Sequence, residues 1–311
     1  MSKWRIALLA LIGIFLVVGA TYFFLSPNNT QNIVIISKPQ GNVSGNITSV
    51  AHIFVIMEEN KPSSLIFDNT SVAPYINSLI DTYGFATNYS AVTHPSLPNY
   101  LAITSGSTDG VSTDCNPPSA GCIVSVKNIA DEIQKSGRTW KEYAESMPSP
   151  CYAFNSGNYA TKHNPFLYYA DIINNKSRCE SHVVPFHNLS NDLKSVSTTP
   201  NYAFITPNLC NDMHNCSIEV GDYWLSKTVP MILNSKAFTS EPSLLIITWD
   251  EGNSSNNQVA TIVAGSAAKK HYKSNVAYSH YSVLSTIEAS WGLKPLTQND
   301  QQATPMTNFI R

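Results

Sequence analysis

Four short polar strings in this sequence each follow an apolar run, and their residue types suit anion and cation chemistry. Glu58, Glu59 and Asn60 come directly after the run at 52–57. Ser96 opens a stretch with helical spacing, Asp212 and His214 follow 201–206, and Asp250 and Glu251 close 243–250. Carboxylates drawn to one place repel one another, so a bound cation is the economical reason to assemble them. A serine at a helix N-terminus meets unpaired N–H groups and partial positive charge, which suit both a phosphate and an attacking alkoxide. A metal on its oxygen would further favour the attacking form. Taken singly, each string has a plainer reading: Ser96 as a helix cap, Asp250 to Gly252 as a turn, and the histidines as structural residues.

These strings act together only if the fold brings them to one rim. The run HIFVIM (52–57) is short, apolar and rich in β-branched residues, the pattern of a buried strand. A helical pattern follows over 73–84 with a terminal Gly. Around His94 and Pro95 the chain turns into the helix that starts near Ser96. Beyond it come a helix over 128–137, a strand over 201–206, a helix over 222–235, strands over 243–250 and 258–265, and a helix over 281–292. Strands alternating with helices predict a largely parallel sheet covered on both faces, with the ligand site at the carboxyl ends of the strands. No internal repeat is visible.

The chain has 311 residues, 43% of them hydrophobic and 13% charged, which suits one large packed core. Nineteen Lys+Arg against 21 Asp+Glu leave no basic excess, and this argues against nucleic acid as a partner. Lys3 and Arg5 precede an uncharged stretch over 6–25, long enough for a membrane helix and oriented with the N-terminus inside. A cleaved signal peptide is the rival reading. The segment 26–49, rich in Asn, Gln, Ser, Pro and Gly, reads as a stalk, and 50–311 as the catalytic domain. Glycosylation sequons at Asn28, Asn42, Asn46, Asn69, Asn88, Asn175, Asn188, Asn215 and Asn253 accord with export to a cell-surface or secreted position. The six cysteines have no CxxC spacing. Loop closure favours near neighbours and predicts Cys115–Cys122, Cys151–Cys179 and Cys210–Cys216. Nothing in the sequence sets an oligomeric state.

Six strings, HIFVIMEEN, THPSLPNYLAITSG, KHNPFLYY, TPNLCNDMH, ITWDEG and SHYSVLSTIE, occur in the order of the motif set of the phosphoesterase family that holds acid phosphatases and the larger phospholipases C. The chain resembles that family from His52 to Trp291. The resemblance implies an α/β three-layer sandwich with a mostly parallel central sheet, alkaline phosphatase-like. It implies a divalent metal (Mg, Ca, Mn or Zn) on Glu59, Asn60, Ser96, Asp250 and Glu251, with Glu58 standing behind the ligands. Ser96 matches the nucleophile and Asn99 a phosphoryl-binding position. His163, Asp212, His214 and His280 match polar positions around the phosphate, and His163 or His280 would protonate the leaving group. His94 would orient the loop before the nucleophile or serve structure alone.

The expected activity is hydrolysis of small phosphate monoesters through a phosphoseryl intermediate. A phospholipase C-type phosphodiesterase and a non-catalytic surface glycoprotein are the alternatives. Monoesters are expected to be preferred over phospholipids, because no basic amphipathic stretch outside the N-terminal segment offers a bilayer contact.

Overall fold

A computed structural model describes residues 49–253 and 255–311. The expected anchor and nearly all of the expected stalk fall in residues 1–48, outside the described residues. Among the described residues no helix is long and apolar enough to cross a membrane.

The strands are β1 (His52–Glu58), β2 (Gly84–Ala86), β3 (Trp140–Ala144), β4 (Val183–Pro185), β5 (Tyr202–Thr206), β6 (Ser243–Trp249), β7 (Thr261–Ala264) and β8 (Tyr272–Ser274). They form one sheet in the order β4-β3-β5-β1-β6-β7-β2-β8. Every pairing is parallel except those of β7, which runs antiparallel to both β6 and β2. All seven residues of β1 and all seven of β6 are buried. Successive strand residues point to opposite faces, so both faces of the sheet centre are covered. The helices that matter below are α1 (Pro74–Thr82), α2 (Ser96–Ser105), α3 (Ile129–Lys135), α4 (Ile218–Leu233) and α5 (His280–Trp291). Within these layers α2 packs on α5 and α1 on α4. This is the expected α/β sandwich with a mostly parallel sheet.

Local chemistry explains where helices begin and end. Asn128 and Asp131 form a capping box at the start of α3, and Gly106 and Gly292 end α2 and α5 with φ of 79° and 64°. Gly84 departs from its expected role as a helix terminator, because α1 stops at Thr82 and Gly84 opens β2. A Cβ there would lie 2.5 Å from Phe309 Cδ1, so the close approach of that ring requires glycine. The helix expected over 222–235 starts earlier, at Ile218, and continues through Pro230. The disulfides Cys115–Cys122, Cys151–Cys179 and Cys210–Cys216 are all formed.

Candidate active site

The strand register assembles the carboxylates. Glu58 pairs with Trp249 at the carboxyl ends of β1 and β6, which sets residues 59–60 beside 250–251. Backbone bonds extend this ladder past the strands: Asp250 N–H donates to Glu58 O at 2.9 Å and Glu59 N–H to Asp212 O at 2.8 Å. The loop after β5 is thereby drawn to the same rim. Asn60 adopts a φ of 42°, a left-handed conformation that Asn tolerates, and its N–H donates to Asp250 Oδ1 at 2.9 Å.

Ser96 is the first residue of α2 and is 1% exposed. It does not act as a cap. The N-cap position is Pro95, while Ser96 Oγ donates to Glu59 Oε2 at 3.0 Å. Tyr100, one turn on, donates to Glu59 Oε1. The N–H of Leu97, in the first turn, is met by Asp114, whose Oδ1 accepts from it at 2.9 Å.

Glu59, Asn60, Ser96 and Asp250 therefore present oxygens to one another. Asn60 Oδ1 lies 3.5 Å from Ser96 Oγ and faces only acceptors on Asp250 and Glu59. A half turn of the amide would set its nitrogen 3.1 and 3.2 Å from the Asp250 oxygens and 3.1 Å from Glu59 Oε2. Either a donor or a cation must stand among these atoms, and the all-oxygen set fits a hard divalent ion. Burial, followed by repulsion from Glu59 and Glu251, pushes the Asp250 carboxyl well above its ordinary range. Glu251 turns its Oε2 to His94 Nδ1, and the His94 side chain is 53% exposed.

A second grouping shares Glu59. Ligand atoms of Glu59, His163 and His214 lie within 4.8 Å of one another. His163, however, has Nε2 3.2 Å from Glu59 Oε2 and Nδ1 3.2 Å from Asp212 Oδ2. Burial alone would lower its pKa, but these two carboxylates outweigh burial and hold it at about 10. In return His163 outweighs the desolvation of Glu59, bringing that carboxyl down to about 2. The oxygen cluster around Asn60 and this nitrogen-bearing group share Glu59, and both offer ligand atoms to a cation.

Two expected site residues are held by other partners. Asn99 is fully buried, and its Oδ1 accepts from Val92 and Thr93 N–H while its Nδ2 donates to Thr93 and Pro95 carbonyls. With both amide hydrogens used, it clamps the loop that leads into Ser96 and has none left for phosphoryl oxygens. His280 is likewise buried, between Asp250 O at 2.7 Å and Tyr89 OH at 2.9 Å, and burial lowers its pKa to about 4. Its ring braces the backbone of Asp250 from behind. Asp212 stays in the cluster: its Oδ1 accepts from His214 N–H at 2.7 Å, and burial raises its pKa. Glu58 is buried behind the site, where burial and then Asp212 raise its carboxyl.

A model of the phosphoesterase family matches residues 54–294. The chain belongs to the phosphoesterase family. It is 34% identical over 271 residues to a phosphatidylinositol-3-phosphatase of Mycobacterium tuberculosis, covering 86% of each chain. It is also 34% identical over 228 residues to an acid phosphatase of Aspergillus fumigatus, covering 69% of this chain and 49% of that one. A solved protein of the alkaline phosphatase superfamily from Vibrio parahaemolyticus superposes with a TM-score of 0.56 at 11% identity, covering 80% of this chain and 68% of that one. Murine ectonucleotide pyrophosphatase/phosphodiesterase 5 superposes with a TM-score of 0.56 at 10% identity, covering 84% and 100%. The two superpositions bear on the fold, and the family match with its relatives makes the protein a phosphoric ester hydrolase.

Sequence reasoning passed over two residues that lie beside this cluster. Asp114 gives no periodic signal because it lies in the loop leading to the Cys115–Cys122 disulfide. Lys162 stands inside the KHNP string beside His163 and was open to notice there.

Proposed function

We propose that this phosphoesterase hydrolyses phosphate monoesters through a phosphoseryl intermediate on Ser96, with a divalent metal held by Glu59, Asn60, Asp250 and the Ser96 oxygen. The observation that carries the reading is the junction of Ser96 Oγ with Glu59 at the first turn of α2, where Asn60 and Asp250 converge. When bound, the metal supplies positive charge that lowers the Ser96 pKa and offsets charge on the phosphoryl oxygens. Oxygen ligands favour Mg, Ca or Mn, and recruitment of His214 would admit Zn. Ser96 Oγ gives up its proton to solvent and attacks phosphorus, the bond to the leaving oxygen breaks, and that oxygen takes up a proton. Water then displaces Ser96, which recovers its proton as phosphate leaves. His94 and His214 are the site histidines with access to solvent, so leaving-group protonation passes to them from His163 and His280. The mycobacterial and fungal relatives are named a phosphatidylinositol-3-phosphatase and an acid phosphatase, and both names describe removal of phosphate.

The reading places the domain outside the cytoplasm, tethered through residues 6–25 or released by cleavage there. Three disulfides with no free cysteine among the described residues support an oxidising compartment. The test is hydrolysis of p-nitrophenyl phosphate and a choline phosphodiester, with and without chelator. Faster monoester turnover, lost on chelation and restored by one of the four metals, is expected. Full activity in protein shown by elemental analysis to hold no metal would overturn the metal reading, and faster diester turnover would overturn the monoesterase reading.

A further inference from the structure

Lys162 is a nearly buried cation facing the carboxylate cluster. Its side chain is 11% exposed, and Nζ donates to Asp114 Oδ2 at 2.9 Å and lies 3.5 Å from His214 Nε2. Asp114 is the residue that also accepts from Leu97 N–H, so one carboxylate fixes both the lysine and the first turn of the helix carrying Ser96. The surroundings are firm. Asn116 Oδ1 accepts from Thr161 Oγ1 at 2.8 Å and Lys162 N–H at 3.4 Å, and Tyr168 OH donates to Cys115 O, which ties the disulfide loop to residues 161–168. Burial would lower the Lys162 pKa, yet Glu59 and then Asp114 outweigh it and raise the value, so the ammonium is charged at working pH. The bond to Asp114 and the contact with His214 Nε2 leave at least one of its three N–H donors for another acceptor.

We propose that Lys162 binds the terminal phosphoryl oxygens and gives the site its preference for doubly charged monoesters over singly charged diesters, with Asp114 as the residue that positions it. This deepens the monoesterase reading and rests on it. A monoester carries between one and two negative charges at neutral pH and a diester one, so an added fixed cation favours the monoester. Asp114 holds the ammonium where a flexible lysine would otherwise be drawn toward Glu59.

The test compares wild type, Lys162→Met and Lys162→Arg as metal-loaded full-length protein, with inorganic phosphate and dimethyl phosphate as calorimetric probes. Lys162→Met is expected to weaken phosphate binding about 10- to 100-fold, the size of a lost charge-assisted hydrogen bond, with dimethyl phosphate changed less than about threefold. Lys162→Arg is expected to recover most of the loss. Equal weakening of both probes, or none for phosphate in a variant with wild-type Tm, would overturn the assignment. Because these readouts are binding constants, they judge Lys162 even if wild-type turnover contradicts the monoesterase reading. If Lys162→Met does not fold, the Arg variant decides by its ratio of phosphate to dimethyl phosphate affinity, which the proposal requires to stay near that of wild type.

Discussion

Ser96 and Glu59 share one hydrogen bond of 3.0 Å in a pocket where both side chains are buried, so a change to either is read directly in chemistry. Ser96→Ala removes the oxygen and leaves a residue that starts a helix well. The expected result is a fall in kcat for p-nitrophenyl phosphate of about 10³-fold or more, with Tm within a few degrees of wild type. Comparable kcat in the folded variant would remove Ser96 from the mechanism. Glu59→Gln and Asp250→Asn each take a charge from the oxygen cluster, and each is expected to weaken metal affinity at least tenfold or so, with activity falling in step. Elemental analysis at wild-type metal content would show that the ligands lie elsewhere. Residue roles were legible in part from the strings that hold them. Types and order exposed Glu59, Asn60, Ser96 and Asp250. They gave no means of telling that both nitrogens of His280 are occupied or that the Asn99 amide closes its own loop, since those facts depend on hydrogen bonds across tertiary contacts.

Elements were legible where a buried strand was also long enough to leave an apolar run. β1, β5 and β6 lie side by side at the sheet centre and appear in the sequence as unbroken apolar runs. β3 gave no such run because Lys141 and Glu142 interrupt it; Glu142 is nonetheless fully buried, and burial pushes its carboxyl well above the usual range. β2, β4 and β8 are three residues long, below the length at which alternation can be recognised. The direction of β7 follows from its connection. The chain passes from Trp249 to Thr261 without a crossover helix, so antiparallel pairing is what remains open to it. Gly84→Ala tests the account at this scale. The new methyl meets Phe309 Cδ1 at 2.5 Å and Val263 O at 3.2 Å, and a loss of about 1–3 kcal/mol in unfolding free energy is expected from denaturant melts. A neutral result would mean that Phe309 moves freely.

For the whole molecule, stability should fall with rising pH through one buried carboxyl. Glu288 on α5 is buried near Asp300, and burial, then Asp300, raises its pKa to about 9. The unfolded chain releases that proton near pH 4.3. Between these values the native state holds a proton that the unfolded state has lost, so this group makes stability fall as pH rises from about 4.3 to about 9. Glu288→Gln keeps a donor and removes the titration, and a flatter dependence of Tm on pH in that window is expected, with an unchanged slope as the contrary outcome. The same architecture that buries such groups also brings three strand ends and one helix start to the catalytic rim, and the central claim is that Ser96 takes the phosphoryl group there. Rapid acid quench of the metal-loaded protein during monoester turnover, followed by peptide mass mapping, tests it most directly. The account predicts one added phosphoryl group on the peptide containing Ser96, whereas a label on a histidine, or turnover with no labelled peptide under conditions that preserve phosphoserine, would contradict it.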